Sequence, residues 1–116
     1  MVSEQLSFPG GGYDLKKEAE PFLLKLVEPI NQSEFDVNIE GHTDTSTYPK
    51  ISNLELSLKR ALVVARFLTA NGLDRGKVSV SGYGPYRPID TNRTEEGRQL
   101  NRRVEVNIII RSDRCL

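Results

Sequence analysis

Phe35-Asp36-Val37-Asn38-Ile39-Glu40-Gly41-His42-Thr43-Asp44 alternates apolar and polar side chains, breaks at a glycine, and ends on a histidine, a threonine and an aspartate. Successive side chains leave a pleated backbone on opposite sides, so this alternation is the period of a strand with one face buried. The spacing predicts a strand from Phe35 to Gly41 with Val37 and Ile39 turned to a core. It also delivers His42, Thr43 and Asp44 just past the strand end, where the sheet holds side chains that solvent can still reach. Residues 43–52, with Pro49 among them, read as a polar loop.

Upstream, Leu15, Ala19, Phe22, Leu23, Leu26, Val27 and Ile30 recur at a 3.6-residue spacing. They predict an amphipathic helix over residues 14 to about 30, with Asp14 as its N-cap and Pro21 kinking it or shifting its start. Gln5-Leu6-Ser7-Phe8 reads as a short strand closed by Pro9 and Gly10-Gly11-Gly12. Downstream, Leu54, Leu58, Ala61, Leu62, Ala65 and Leu68 form the stripe of a second helix, stopped by Asn71-Gly72. Val78 and Val80 alternate with serines in a short strand. Residues 84–101 are polar and turn-rich, with a helical turn from about Thr94 to Leu100. Val104, Val106, Ile108 and Ile110 then make the clearest strand in the chain. The order β-α-β-α-β-β predicts an α+β sandwich, one mixed sheet with the helices packed on one face.

At 116 residues the chain suits a single domain over 1–116. Its formal charge is zero, but residues 1–58 carry four lysines against ten acids, a net of −6, and the remainder carries +6. A zero sum argues against general nucleic-acid binding, which needs a basic surplus. It leaves open a small ligand bearing both signs of charge. The longest apolar runs, at residues 61–65 and 108–110, are far short of a membrane span, and no secretory signal follows Met1. The protein is therefore expected to be either cytoplasmic or a domain cut from a longer exported chain. The single cysteine, Cys115, allows no internal disulfide, and the single histidine, His42, is expected to order its loop by hydrogen bonding rather than bind a metal.

Three motifs stand out: Gly41-His42-Thr43-Asp44, then Asn53-Leu54-Glu55-Leu56-Ser57-Leu58-Lys59-Arg60-Ala61, then Asn101-Arg102-Arg103-Val104-Glu105. In this order and spacing the set resembles the OmpA-like domain, the C-terminal peptidoglycan-binding module shared by OmpA, Pal and the flagellar stator protein MotB. Gly82-Tyr83-Gly84, Pro88 and residues 92–98 add to the likeness, and residues 52–57 and 94–98 are closer to the MotB branch than to Pal. The resemblance implies a non-catalytic anchor that binds the diaminopimelate of peptidoglycan stem peptides, without a cofactor, in the periplasmic part of a membrane-attached protein. Related modules often pair, which leaves a homodimer open.

Diaminopimelate presents an ammonium and a carboxylate on one carbon, so its site needs a fixed anion and a fixed cation close together. The matching family positions assign Asp44 to the ammonium and Arg60 to the carboxylate, the latter through paired guanidinium hydrogen bonds. Asn53, two turns before Arg60 on the same helix face, contributes its amide or caps the helix. Arg102 is a further anion contact by resemblance, and Thr43 joins the set from the same motif as Asp44. Without the family match, Arg60 would read as a snorkelling surface arginine, and Arg103 and Glu105 as a solvated or cross-strand pair. Some positions depart from the family: no glycine follows Asp44, Pro85 replaces a common glutamate, and residues 10–12 lack a first-loop ligand side chain. Two other functions stay in view. One is a structural or dimerisation module whose site has decayed; the other is a wall-acting hydrolase using Glu40 and Asp44, for which no nucleophile is present.

Overall fold

The computed structural model describes residues 12–110 and the backbone of Gln5–Ser7. The elements are β1 (Gln5–Ser7), α1 (Glu20–Asn31), β2 (Phe35–Gly41), α2 (Asn53–Ala70), β3 (Val78–Gly82), α3 (Glu95–Asn101) and β4 (Arg103–Ile110), with short 3-10 turns at Lys17–Ala19 and Arg75–Lys77. The strands form one sheet in the order β1-β4-β2-β3. β2 and β3 run parallel, and β4 is antiparallel to both β1 and β2. This is the expected mixed α+β sandwich, with the helical turn before the last strand realised as α3. The turn expected at residues 9–11 and Cys115 lie outside the described residues.

Register sorts the side chains onto two faces. Val37, Ile39 and Gly41 oppose Ile108, Val106 and Val104 on one side and Val78, Val80 and Gly82 on the other. That face packs against Leu23, Val27 and Ile30 of α1 and Val64, Ala65 and Leu68 of α2 in one core. The opposite face carries Asp36, Asn38 and Glu40 against Ile109, Asn107 and Glu105. The alternation read in the sequence therefore fixes which residues can reach the helices.

Two helix expectations are corrected. α1 starts at Glu20 with Pro21 in its first turn, and Asp14 is not its cap. A proline there loses no hydrogen bond, because the first amides of a helix have no intrahelical acceptor, so Pro21 sets the start and does not kink the helix. The buried face of α2 is Leu56, Ser57, Arg60, Ala61, Val64, Ala65 and Leu68, while Leu54 and Leu58 are 53% and 44% exposed. The cause is a close approach. A Cβ at Gly41 would lie 1.7 Å from the Ser57 carbonyl oxygen, and one at Gly82 would lie 2.8 Å from the Leu58 amide. Where helix backbone rests on strand backbone no leucine fits between them, so the first leucines of the expected stripe turn outward.

Candidate functional site

The site begins where β2 ends. The His42 amide donates to the Arg103 carbonyl (2.9 Å) and the Thr43 amide to the Gly84 carbonyl (3.0 Å), so this segment is clamped between the start of β4 and the turn after β3. Gly84 has φ of +60°, a left-handed conformation that suits glycine. The Thr43 hydroxyl donates to the Asp44 carbonyl at 2.8 Å.

Asp44 is 1% exposed. Its Oδ1 accepts from the Ser46 amide at 2.8 Å, and its Oδ2 accepts from Arg102 Nη1 at 2.7 Å. Burial pushes its carboxyl up, and the hydrogen bonds from Arg102 and Ser46 more than reverse this, leaving it below the ordinary aspartate value. Arg102 also donates to Glu95 Oε2 at 2.6 Å. Burial works against its charge, but Glu95 and Asp44 together raise its pKa further. From the C-terminal end of α3, Arg102 thus bridges the buried Asp44 carboxylate and the exposed Glu95 carboxylate of the helix's first turn.

Arg60 is fully buried rather than snorkelling. Its Nε donates to the Gly12 carbonyl at 2.8 Å and its Nη1 to the His42 carbonyl at 2.9 Å. The glycine run that lacks a ligand side chain therefore supplies a backbone acceptor. Burial brings the guanidinium down to about 10, offset in part by Tyr48 and Asp44, so it is cationic at neutral pH. The structure thus brings Asp44, Arg60 and Arg102 into one charged cluster around the end of β2.

Asn53 meets the loop beside that cluster. Ser52, not Asn53, caps α2, its hydroxyl accepting from the Glu55 amide at 3.1 Å. Asn53 donates to the Ser46 carbonyl at 3.0 Å and so ties the helix start to the loop after Asp44. It also lines a cleft of about 310 Å³ with Tyr48, Ile51, Leu54, Pro85 and Tyr86. Asp44, Arg60 and Tyr83 do not line that cleft, and Tyr83 stacks on the His42 ring.

Three features escaped the sequence reading. Glu95 holds Arg102 from seven residues away, two helical turns, a spacing that was available once Thr94 was recognised as the α3 cap. Asn101 is fully buried and accepts from the Ile89 and Asp90 amides at 2.8 and 3.1 Å, so the asparagine of the Asn-Arg-Arg motif fastens a loop. Arg103 is 2% exposed and pairs with Glu105 of its own strand at 2.7 Å, neither solvated nor cross-strand. His42 orders its surroundings through its backbone, since neither ring nitrogen has a hydrogen-bond partner among the described residues.

Comparison with known proteins places this arrangement. A model of the OmpA family matches residues 7–102. Motility protein B of Bacillus subtilis (strain 168) is 36% identical over 120 residues, which cover 95% of this chain and 44% of that protein. The peptidoglycan-binding protein ArfA of Mycobacterium tuberculosis is 43% identical over 70 residues, covering 60% of this chain and 21% of that one. The C-terminal domain of Helicobacter pylori MotB has the same fold, with a TM-score of 0.85 at 24% identity over 95% of this chain and 88% of that one. This chain spans less than half of the Bacillus protein, and among the described residues no helix is long and apolar enough to cross a membrane. Because the match covers residues 7–102, with the first two motifs whole and the first two residues of the third, the chain belongs to the OmpA family.

Proposed function

We propose that this domain binds peptidoglycan without catalysis, through the diaminopimelate of stem peptides, and so anchors a membrane-attached envelope protein of the MotB stator type to the wall. The observation that carries the reading is the buried cluster of Asp44, Arg60 and Arg102 at the end of β2, in a chain of this family. The mycobacterial relative, named as a peptidoglycan-binding protein, supports the same ligand class.

The chemistry of entry is an exchange of ion pairs. A zwitterionic end inserts between Asp44 and Arg102, its ammonium taking the carboxylate and its carboxylate taking a guanidinium. Neither protein charge is left buried and uncompensated, which is the costly outcome in such a site. Glu95 keeps a hold on Arg102 while the pair opens. Two such contacts correspond to roughly micromolar to millimolar affinity, and repeated sites along a polymer strengthen retention.

Amide NMR titration with a muropeptide bearing a free diaminopimelate end tests this reading. Shifts should cluster at residues 42–46 and at Arg102, and they should vanish in Asp44→Asn or when the ligand carboxylate is amidated. A decayed module is the second reading, favoured by the closed state of Asp44, whose two oxygens are already bonded internally. It predicts no shifts with any muropeptide. Fragments released from purified peptidoglycan would overturn both.

A further inference from the structure

The face of the sheet turned away from the helices carries a cluster that wall binding does not use. Register sets Glu40 directly opposite Glu105 across β2 and β4, and His42, two residues past Glu40, falls on the same face. His42 Nε2 lies 3.8 Å from Glu40 Oε1 and 3.8 Å from Glu105 Oε2. One ligand atom from each of the three residues lies within 4.8 Å of the other two. The carboxylates are about one-fifth exposed, whereas the imidazole is 2% exposed and its ring nitrogens have no hydrogen-bond partner among the described residues. Native proteins leave few buried polar atoms unpaired, and each one calls for an explanation.

We infer that Glu40, His42 and Glu105 form a binding site for one divalent transition-metal ion, zinc being the best fit, with solvent completing the coordination. An imidazole nitrogen with two carboxylate oxygens is a donor set that zinc accepts, at bond lengths of about 2.0–2.2 Å. Ligand atoms of a tetrahedron built on such bonds sit about 3.4 Å apart, so the two 3.8 Å gaps need close by only about 0.4 Å. The separation between the carboxylates closes by side-chain rotation, which their exposure permits. Magnesium and calcium prefer all-oxygen shells, and the imidazole turns the choice toward softer ions.

The surroundings orient the donors. Arg103 Nε holds Glu105 Oε2 at 2.7 Å, and the His42 ring stacks on Tyr83 with centroids 5.5 Å apart. Burial, with Arg103 and Arg87, holds His42 down to about 4, so the ring is neutral at physiological pH. Burial and the neighbouring Glu105 raise Glu40 above its ordinary value, a repulsion that a cation relieves. The same two arginines oppose a cation, which makes this a weak, loadable site rather than a structural one.

The test uses the tag-free 116-residue chain, whose single histidine gives one imidazole to follow. After treatment with a chelator it is titrated with zinc chloride alone, by calorimetry and by long-range 1H–15N spectra of the ring. The expected result is one ion per chain, a shift of the Nε2 resonance, and at least tenfold weaker binding in each of E40Q and E105Q. Should E105Q fail to fold because it frees Arg103, E40Q and the ring resonance decide the matter. Asp44→Asn, which removes muropeptide binding under the reading above, should leave zinc affinity unchanged, so the two proposals fail separately. Substoichiometric binding, an unmoved imidazole, or affinity unaltered in E40Q overturns the site.

Discussion

Gly41 and Ser57 touch backbone to backbone: a Cβ on the glycine would stand 1.7 Å from the serine carbonyl oxygen. This contact seats α2 on the end of β2, and it is why Arg60, one turn further along, reaches the His42 carbonyl. Gly41→Ala must therefore displace the helix or the strand. We expect it to lower stability by about 3 kcal/mol, at the upper end of overpacking costs. Gly76→Ala, whose Cβ meets nothing closer than 3.4 Å, should stay within about 0.5 kcal/mol of the parent. Urea unfolding followed by circular dichroism compares the two, and equal midpoints would refute the close contact.

Arg60 is an internal fastener before it is anything else. Arg60→Ala removes the donors of the Gly12 and His42 carbonyls and opens a cavity beneath the loop. A loss of about 3 kcal/mol is expected, since buried groups left without partners are costly. Loss of wall binding in that variant would therefore say little about ligand contact, and Asp44→Asn is the cleaner probe. A melting temperature for Arg60→Ala equal to that of the parent would contradict this role.

Acid should weaken the fold through Asp44. Its carboxyl is held below the ordinary aspartate value of 3.8, so the folded state favours the charged form. The resulting stability is fully present above that value and is lost as pH falls through the lower folded value. In chelator-containing buffer, urea midpoints from pH 6 down to pH ~2 should fall less steeply in Asp44→Asn than in the parent. Parallel curves would remove Asp44 from the account.

His42 adds to the acid loss in the same direction, for a different reason and at higher pH. A buried base whose pKa is lowered to about 4, from 6.5, stays neutral while the unfolded chain picks up a proton. Stability from this group is therefore complete above 6.5 and is lost as pH drops toward 4. The C2 proton of the single imidazole, followed with chelator present, should titrate near 4 in the native chain and near 6.5 in urea. A native midpoint above 6 would mean that the ring is not buried as described.

Most of the architecture was legible because it rests on period alone. β2 and β4 alternate cleanly, and that pattern decided which face each residue takes. The rotation of α2 was not legible, because it depends on Gly41 and Gly82 meeting Ser57 and Leu58, a contact between elements that no single-helix pattern encodes. The start of α1 was misplaced because the stripe continues back through Leu15, while the regular helix begins only at Glu20, next to Pro21. Asp44, Arg60 and Arg102 were singled out through the resemblance to the family, and the structure gathers them at the end of β2. Their mutual arrangement was not legible, because the 2.7 Å pair between Asp44 and Arg102 joins residues 58 positions apart. The pairing of Glu40 with Glu105 is hidden for the same reason.

The sheet order β1-β4-β2-β3 sets the last strand in sequence between the first two. β2 can pair with β3 as soon as Gly82 is made, but neither β1 nor β2 has its antiparallel neighbour until β4 follows. A nascent chain arrested before that point carries exposed strand edges and an open Asp44. Because Arg102 stands at the head of that central strand, docking β4 against β2 is also what carries its guanidinium to Asp44.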